Sequence, residues 1–337
     1  MPSPNVTFVI ATYKRVEALR ATLRSLILQQ HQDWTALVIG DCCGEETAEA
    51  IRSLGEPRIR YYNLPKRFGE QSGPNSFGLH MATGDFIGFL NHDDLLLQDH
   101  VTYALERIHA ERADFFIGAC ANATQLKTGE NNQVIPLFTE VLPKSRDLST
   151  LVQEDPYLFD PSSFWLIRTP YAKAVGPWRA ARELWRTPLR DWLMRSWRLG
   201  GRFVFGERVT GLRFWTQNLR KGAPLYSNAT PEHEFMVEFL RAHSAEEVRQ
   251  FIGWPSGNNW GQGNGAFVQN RDARRWCLAS FLYRNLGIDP YTLKCRLLRR
   301  PRGALLESIS RRRTNEGLQA VWDLQKAWMD PETHRIL

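Results

Sequence analysis

A chain of 337 residues that is 43% hydrophobic and 23% charged can bury a sizeable core, enough for one large domain and an appendage. No run of about 18 apolar residues occurs, which excludes a membrane-spanning helix, and Met1-Pro2-Ser3-Pro4-Asn5 has neither the basic nor the apolar region of a secretory leader, so a cytoplasmic location is expected. The formal net charge is +7, and the five cysteines are an odd number without metal-ligand spacing, which argues for reduced thiols and against a disulfide framework.

Val6 to Ala11 is a continuous apolar strand signal, and Val16 to Gln30 places Val16, Leu19, Leu23, Leu26 and Ile27 on one helical face. Ala36 to Ile39 reads as a second strand ending at Gly40-Asp41, Glu45 to Leu54 as a second helix, and Ile59 to Tyr62 as a third strand. Ser72 to Ala82 reads as a helix leading into the apolar run Phe86 to Leu90. Strands alternating with helices predict an α/β fold with a mostly parallel, doubly wound sheet. In such sheets ligands bind beyond the carboxyl ends of the strands. Thr12 to Arg15, Asp41 to Gly44 and Asn91 to Asp94 each follow a strand and are expected to meet in one crevice.

Asn91-His92-Asp93-Asp94 puts two adjacent carboxylates where a buried strand emerges. Carboxylate oxygens are hard ligands for Mg²⁺ or Mn²⁺, ions commonly shared with substrate phosphates, so Asp93 and Asp94 are candidate metal ligands. The alternative is that both acids cap a helix beginning near Leu95.

Four ordered segments, Phe8 to Tyr13, Val38 to Asp41, Gly69 to Asn75 and Phe89 to Asp94, together resemble the motif set of inverting family-2 glycosyltransferases with the GT-A fold. The resemblance spans about residues 5 to 215. It implies a Rossmann-like GT-A domain that binds a nucleotide-sugar, a UDP-sugar foremost, with Mn²⁺ or Mg²⁺. Along the donor it implies Ala11, Thr12 and Tyr13, with Tyr13 stacking on the base and Asp41 hydrogen-bonding it, followed by Asn91, His92 and Asp93, with Asp93 ligating the metal on the diphosphate. Asn75 reads as a sugar contact or a helix-capping amide, and Arg67 as a diphosphate contact or a solvated loop charge. The sequence departs from the family at Asn91, where an aspartate is usual, and at Gly40-Asp41, where an Asp-Asp pair is usual. A hydroxyl acceptor on a glycan or lipid-linked glycan, and a bacterial surface glycan such as capsule or O-antigen as product, are further implications.

Asp160 to Arg168 reads as a turn feeding a strand, and Pro188 to Arg195 as a helix start. The resemblance makes an acid here the general base for the acceptor hydroxyl. Asp191 is the expected base and Glu183 the second candidate, although Arg190-Asp191 replaces the family's Glu-Asp pair. Asp191 also reads as a first-turn acid favoured by the helix dipole. Six of the twelve tryptophans fall between Trp165 and Trp215, and Trp178, Trp185 and Trp192 read either as core or as platforms for sugar rings.

Residues 1–222 are expected to form the GT-A domain and 223–337 a mainly helical extension. Helices are expected at Pro231 to Leu240, Ala245 to Ile252, Asp272 to Leu286 and Glu316 to Met329, with a Gly/Asn-rich loop from Trp254 to Gly265. Residues 294–313 carry eight Lys or Arg against Glu307 alone, which equals the net charge of the whole chain. Interleaved with leucines, the segment reads as a contact to an anionic membrane surface or as a solvated basic face, with no nucleic-acid module to suggest that partner. A dehydrogenase is disfavoured because no Gly-x-Gly-x-x-Gly turn follows the first strand. A sugar-nucleotide binder that scaffolds an assembly without catalysis is the remaining alternative, left open by Asn91 and Arg190.

Overall fold

The computed structural model describes residues 3–153, 161–215, 230–254 and 273–303, with Phe159 and Asp323. Four strands open the chain in parallel: β1 (Val6–Thr12), β2 (Trp34–Gly40), β3 (Ile59–Asn63) and β4 (Phe86–Phe89). Between them run α1 (Val16–Ile27), α2 (Glu45–Arg52) and α3 (Ser72–Met81). Alternate side chains of β1 face opposite layers, as the two-residue period of a strand requires. Phe8 and Ile10 join Leu19 and Leu23 of α1, while Val9 joins Leu79 of α3. Gly78 permits that second contact, because a Cβ there would lie 2.2 Å from Val9 Cγ1.

The chain continues through β5 (Leu95–Leu96), α4 (His100–Ala110), β6 (Phe115–Thr128), β7 (Val134–Leu142), β8 (Trp165–Arg168), α5 (Thr169–Val175), α6 (Pro188–Leu199) and β9 (Phe203–Phe214). The nine strands form one sheet in the order β3-β2-β1-β4-β8-β6-β9-β5, with β7 paired to β6. β1 to β4, β6 and β9 run one way, whereas β5, β7 and β8 run against them. The mostly parallel sheet expected from the sequence is therefore present, with the first four strands as its uninterrupted parallel half.

The helix considered at Leu95 is absent. Leu95 and Leu96 pair with Leu212 and Gly211 of β9, and the helix begins five residues later at His100, so Asp93 and Asp94 cap nothing. Beyond β9 lie α7 (Pro231–Ala242), α8 (Ala245–Phe251), α9 (Ala273–Phe281) running into a π-helical turn (Leu282–Leu286), and α10 (Pro290–Leu297). Met236, Leu240 and Val248 of α7 and α8 share a core with Leu95, Ala119 and Val209 of the sheet. All but Asp323 of the helix expected at Glu316 to Met329, most of the Trp254 to Gly265 loop, residues 304–313 and the boundary at 222 lie outside the described residues.

Candidate functional site

β1 and β2 end level, with Thr12 opposite Gly40, so the segments that follow them are neighbours from the start. The Asp41 amide donates to the Thr12 carbonyl at 2.8 Å, and His92, after β4, places Nδ1 3.1 Å from Thr12 Oγ1. Lys14 and Arg15 both adopt the left-handed backbone, φ 54° and 57°. That conformation is costly for residues with a Cβ, and it turns the buried Arg15 guanidinium into an ion pair with Asp93. The three polar segments thus converge at one sheet edge. Ala11, half-buried at the end of β1, completes its first wall.

Asp41 is buried, and its carboxylate accepts from the backbone amides of Phe68 and, at 2.8 Å, Gly69. Burial raises its pKa, opposed by those two amides and by the charge of Arg67. Asp41 therefore folds the loop after β3 back over the edge. Arg67, on that loop, lies 4.1 Å over the Tyr13 ring. A second acid at Gly40 would require Tyr61 and Asn63 to move, because a Cβ there would lie 2.6 Å from Tyr61 Oη and 2.7 Å from Asn63 Oδ1. Asn75 is buried in the first turns of α3.

Asp93 and Asp94 differ sharply. The Asp93 side chain is 27% exposed, whereas Asp94 is buried and accepts from Asn91 Nδ2 at 2.9 Å and from Ser163 Oγ. Burial first, then the neighbouring Asp93 charge, pushes the Asp94 carboxyl up to about 7. Asn91 also donates its amide to Ser163 Oγ at 3.1 Å, so the residue that departs from the family's acid braces Asp94. From α7, His233 sets Nε2 2.9 Å from the Asp93 carbonyl oxygen.

At the start of α6, Thr187 caps the helix by accepting from the Arg190 amide, and Pro188 fits the first helical turn. Asp191 follows in that turn, its carboxylate accepting from Arg195 Nε at 2.8 Å and from Arg179 Nη1 at 3.5 Å. Buried Arg190 points the other way and donates to the carbonyls of Thr150, Leu151 and Gln153. Glu70, on the Asp41-held loop, accepts from the Ala181 amide at 3.0 Å and so joins that loop to the segment before α6. Trp178 and Trp192 stack at 5.5 Å inside the core, which removes both as sugar platforms. Trp185 instead donates Nε1 to the Arg300 carbonyl. Arg179, Arg182, Glu183, Leu184 and Arg302 line an open cleft of about 410 Å³ beside it.

The roles of Arg15, Glu70, Ser163 and His233 were not legible in the sequence. Arg15 and Glu70 lie within motifs that the sequence marks out, but Ser163 and His233 reach Asp94 and Asp93 across 69 and 140 residues, where no local pattern exists.

A family model described as glycosyl transferase family 2 matches residues 7–176, about half of the chain and short of Asp191. Among similar proteins, the succinoglycan biosynthesis protein ExoO of Rhizobium meliloti (strain 1021) is 27% identical over 114 residues, covering 34% of this chain and 32% of its own length. The GalNAc(5)-diNAcBac-PP-undecaprenol beta-1,3-glucosyltransferase of Campylobacter jejuni is 27% identical over 120 residues, covering 35% and 38%. The chain thus matches about a third of the length of these curated relatives. The crystal structure of S. aureus TarS 1-349 in complex with UDP-GlcNAc is similar in fold, with TM-score 0.50 and 13% identity, covering 83% of this chain and 81% of that one.

Proposed function

The chain belongs to glycosyl transferase family 2, and we propose that it transfers a sugar from a nucleoside-diphosphate donor, a UDP-sugar in the first place, to a hydroxyl of a glycan or lipid-linked glycan in bacterial surface-polysaccharide synthesis. One observation carries this reading: Asp41 and His92 both contact Thr12, and the partly exposed Asp93 pairs with Arg15, at the carboxyl edge of the parallel half-sheet, where ligands of such sheets bind. The similar fold that holds UDP-GlcNAc supports the donor class, and the Campylobacter relative, named for a diphosphate-linked undecaprenol substrate, supports the acceptor class.

In this reading the base stacks on the Tyr13 face opposite Arg67, and Asp41 holds the loop that carries Arg67. Of the two acids expected to hold Mn²⁺ or Mg²⁺, the partly exposed Asp93 would be the protein ligand, while Asp94 is engaged by Asn91 and Ser163. Among the described residues no set of three His, Cys, Asp or Glu converges, so coordination would be completed by substrate phosphate. The ion would neutralise charge on the departing diphosphate. The acceptor oxygen attacks the anomeric carbon, its proton passes to Asp191, and the sugar–phosphate bond breaks with inversion. Asn91 and Arg190 have structural partners, so neither departure favours a non-catalytic scaffold.

No helix of the described residues is long and apolar enough to cross a membrane. Seven of the ten exposed large apolar side chains among them lie between Leu278 and Leu298, interspersed with Arg284, Lys294 and Arg296. That surface supports peripheral contact with anionic lipid at the cytoplasmic face of a membrane. UDP with Mn²⁺ is expected to raise the melting temperature of the protein by several degrees through ligand linkage. If no nucleoside diphosphate binds, with or without metal, the reading falls.

A further inference from the structure

The cleft beside α6 combines two stretches far apart in the chain. Arg179, Arg182, Glu183 and Leu184 come from the segment between α5 and α6, and Arg302 from the basic stretch after α10. The basic stretch is held there by several independent contacts. Trp185 Nε1 donates to the Arg300 carbonyl at 2.9 Å, the Gly303 amide donates to the Leu184 carbonyl at 2.6 Å, and the Arg302 guanidinium lies 4.7 Å over the Trp185 ring. Upstream, Arg186 forms a bidentate pair with Asp289 at the start of α10, at 2.7 and 2.9 Å. The position of Arg302 is therefore built into the fold.

Three arginines and one acid, Glu183, line this cleft of about 410 Å³, a space large enough for a phosphoryl group and part of a sugar. Guanidinium groups bind phosphate oxygens bidentately, and three of them against one carboxylate suit a group of more than one negative charge. Its location specifies whose phosphate. Arg179 reaches both this cleft and Asp191, the carboxylate proposed above as the acceptor's base, whereas the donor diphosphate is proposed to lie at the strand ends near Asp93.

The geometry points to an acceptor-side subsite in which Arg179, Arg182 and Arg302 bind a phosphate or diphosphate group of the acceptor. This inference rests on the glycosyltransferase reading and deepens it by naming the acceptor as phosphate-bearing. The phosphate can belong to a lipid-linked diphosphate or to a soluble phosphate-containing glycan; Leu297 and Leu298, 74% and 58% exposed within the same basic segment as Arg302, offer an apolar surface for the first.

The test titrates inorganic pyrophosphate by calorimetry into full-length protein saturated with UDP and Mn²⁺, so that the donor diphosphate site is filled. One further site is expected in the wild type. Arg302→Ala is expected to weaken it about tenfold, as for loss of a charged hydrogen bond, and Glu183→Gln to tighten it, while UDP affinity stays constant. Equal pyrophosphate affinity in wild type and Arg302→Ala, or no second site at all, overturns the proposal. Failure of UDP to bind while pyrophosphate binding still depends on Arg302 would fell the donor reading and leave the cleft standing.

Phosphatidylcholine vesicles with and without a polyprenyl diphosphate separate the two sources. Retention of wild type, but not of Arg302→Ala, only on the diphosphate vesicles assigns the lipid-linked group. Arg302-dependent binding of soluble pyrophosphate without vesicle retention assigns the soluble glycan.

Discussion

Asp93 and Asp94 are identical in chemistry and adjacent in sequence, yet the fold gives them opposite fates. One faces the crevice in an ion pair with Arg15, and the other is sealed against Ser163 and Asn91. Asp93→Asn keeps an oxygen for the buried Arg15 guanidinium but removes the hard anionic ligand. It is expected to lower UDP affinity in Mn²⁺ at least about tenfold, since loss of even an outer partner of a metal costs that much, with little change in metal-free affinity. Unaltered affinity in Mn²⁺ would exclude Asp93 as a ligand. Asp191→Asn preserves size and an oxygen for Arg195 Nε, giving up the longer contact to Arg179, but cannot take a proton at neutral pH. Transfer is expected to fall at least about a hundredfold, with donor binding and melting temperature near normal. Full activity in that variant, with loss in Glu183→Gln, would move the base to Glu183.

Elements inherit such constraints through the faces they bury. His100, at the start of α4, is buried between Phe116 and Phe164 and pairs through Nδ1 with Thr210 of β9 at 2.9 Å. Burial lowers its pKa from 6.5 to about 4, against a smaller opposing effect of Asp99. Because the folded value lies below the unfolded one, the stability tied to neutral His100 is complete above pH 6.5 and is lost as pH falls from there towards 4. The loss is on the order of 3 kcal/mol at this scale of shift. Asp94, whose carboxyl is raised, gains stability over much of the same window, so the effect must be read as a difference. His100→Asn, which keeps an acceptor for Thr210, is expected to show a flatter stability profile than wild type in urea titrations between pH 7 and pH 4. Parallel profiles would mean that His100 is not buried as described.

Over the whole molecule, the helices after β9 are bound into the domain that carries the site. His233 of α7 contacts the Asp93 backbone, Arg249 of α8 pairs with Asp99 at 2.8 Å, and Arg186 pairs with Asp289 at the head of α10. Arg186 is almost fully buried, so removing its partner leaves an uncompensated charge. Asp289→Asn is expected to cost about 3 kcal/mol, and adding Arg186→Met is expected to recover part of that cost. A neutral Asp289→Asn would mean that α10 does not dock in solution.

The sequence by itself determined the parallel half-sheet, the helices that alternate with it and the three polar segments at its edge. Those features rest on local periodicity, on apolar runs bounded by turns, and on the rule that strand ends collect ligands. It also marked Asp41, Asp93 and Asp191 through short motifs. Tertiary structure alone decided that Leu95 and Leu96 are strand, because their pairing partner lies beyond residue 200 in β9. It alone decided that Asp94 is sealed while Asp93 is open, that Trp178 and Trp192 are core, and that Arg190 holds a distant loop. Each of these outcomes depends on burial against residues remote in sequence, and burial is a property of the packed chain that no local pattern encodes.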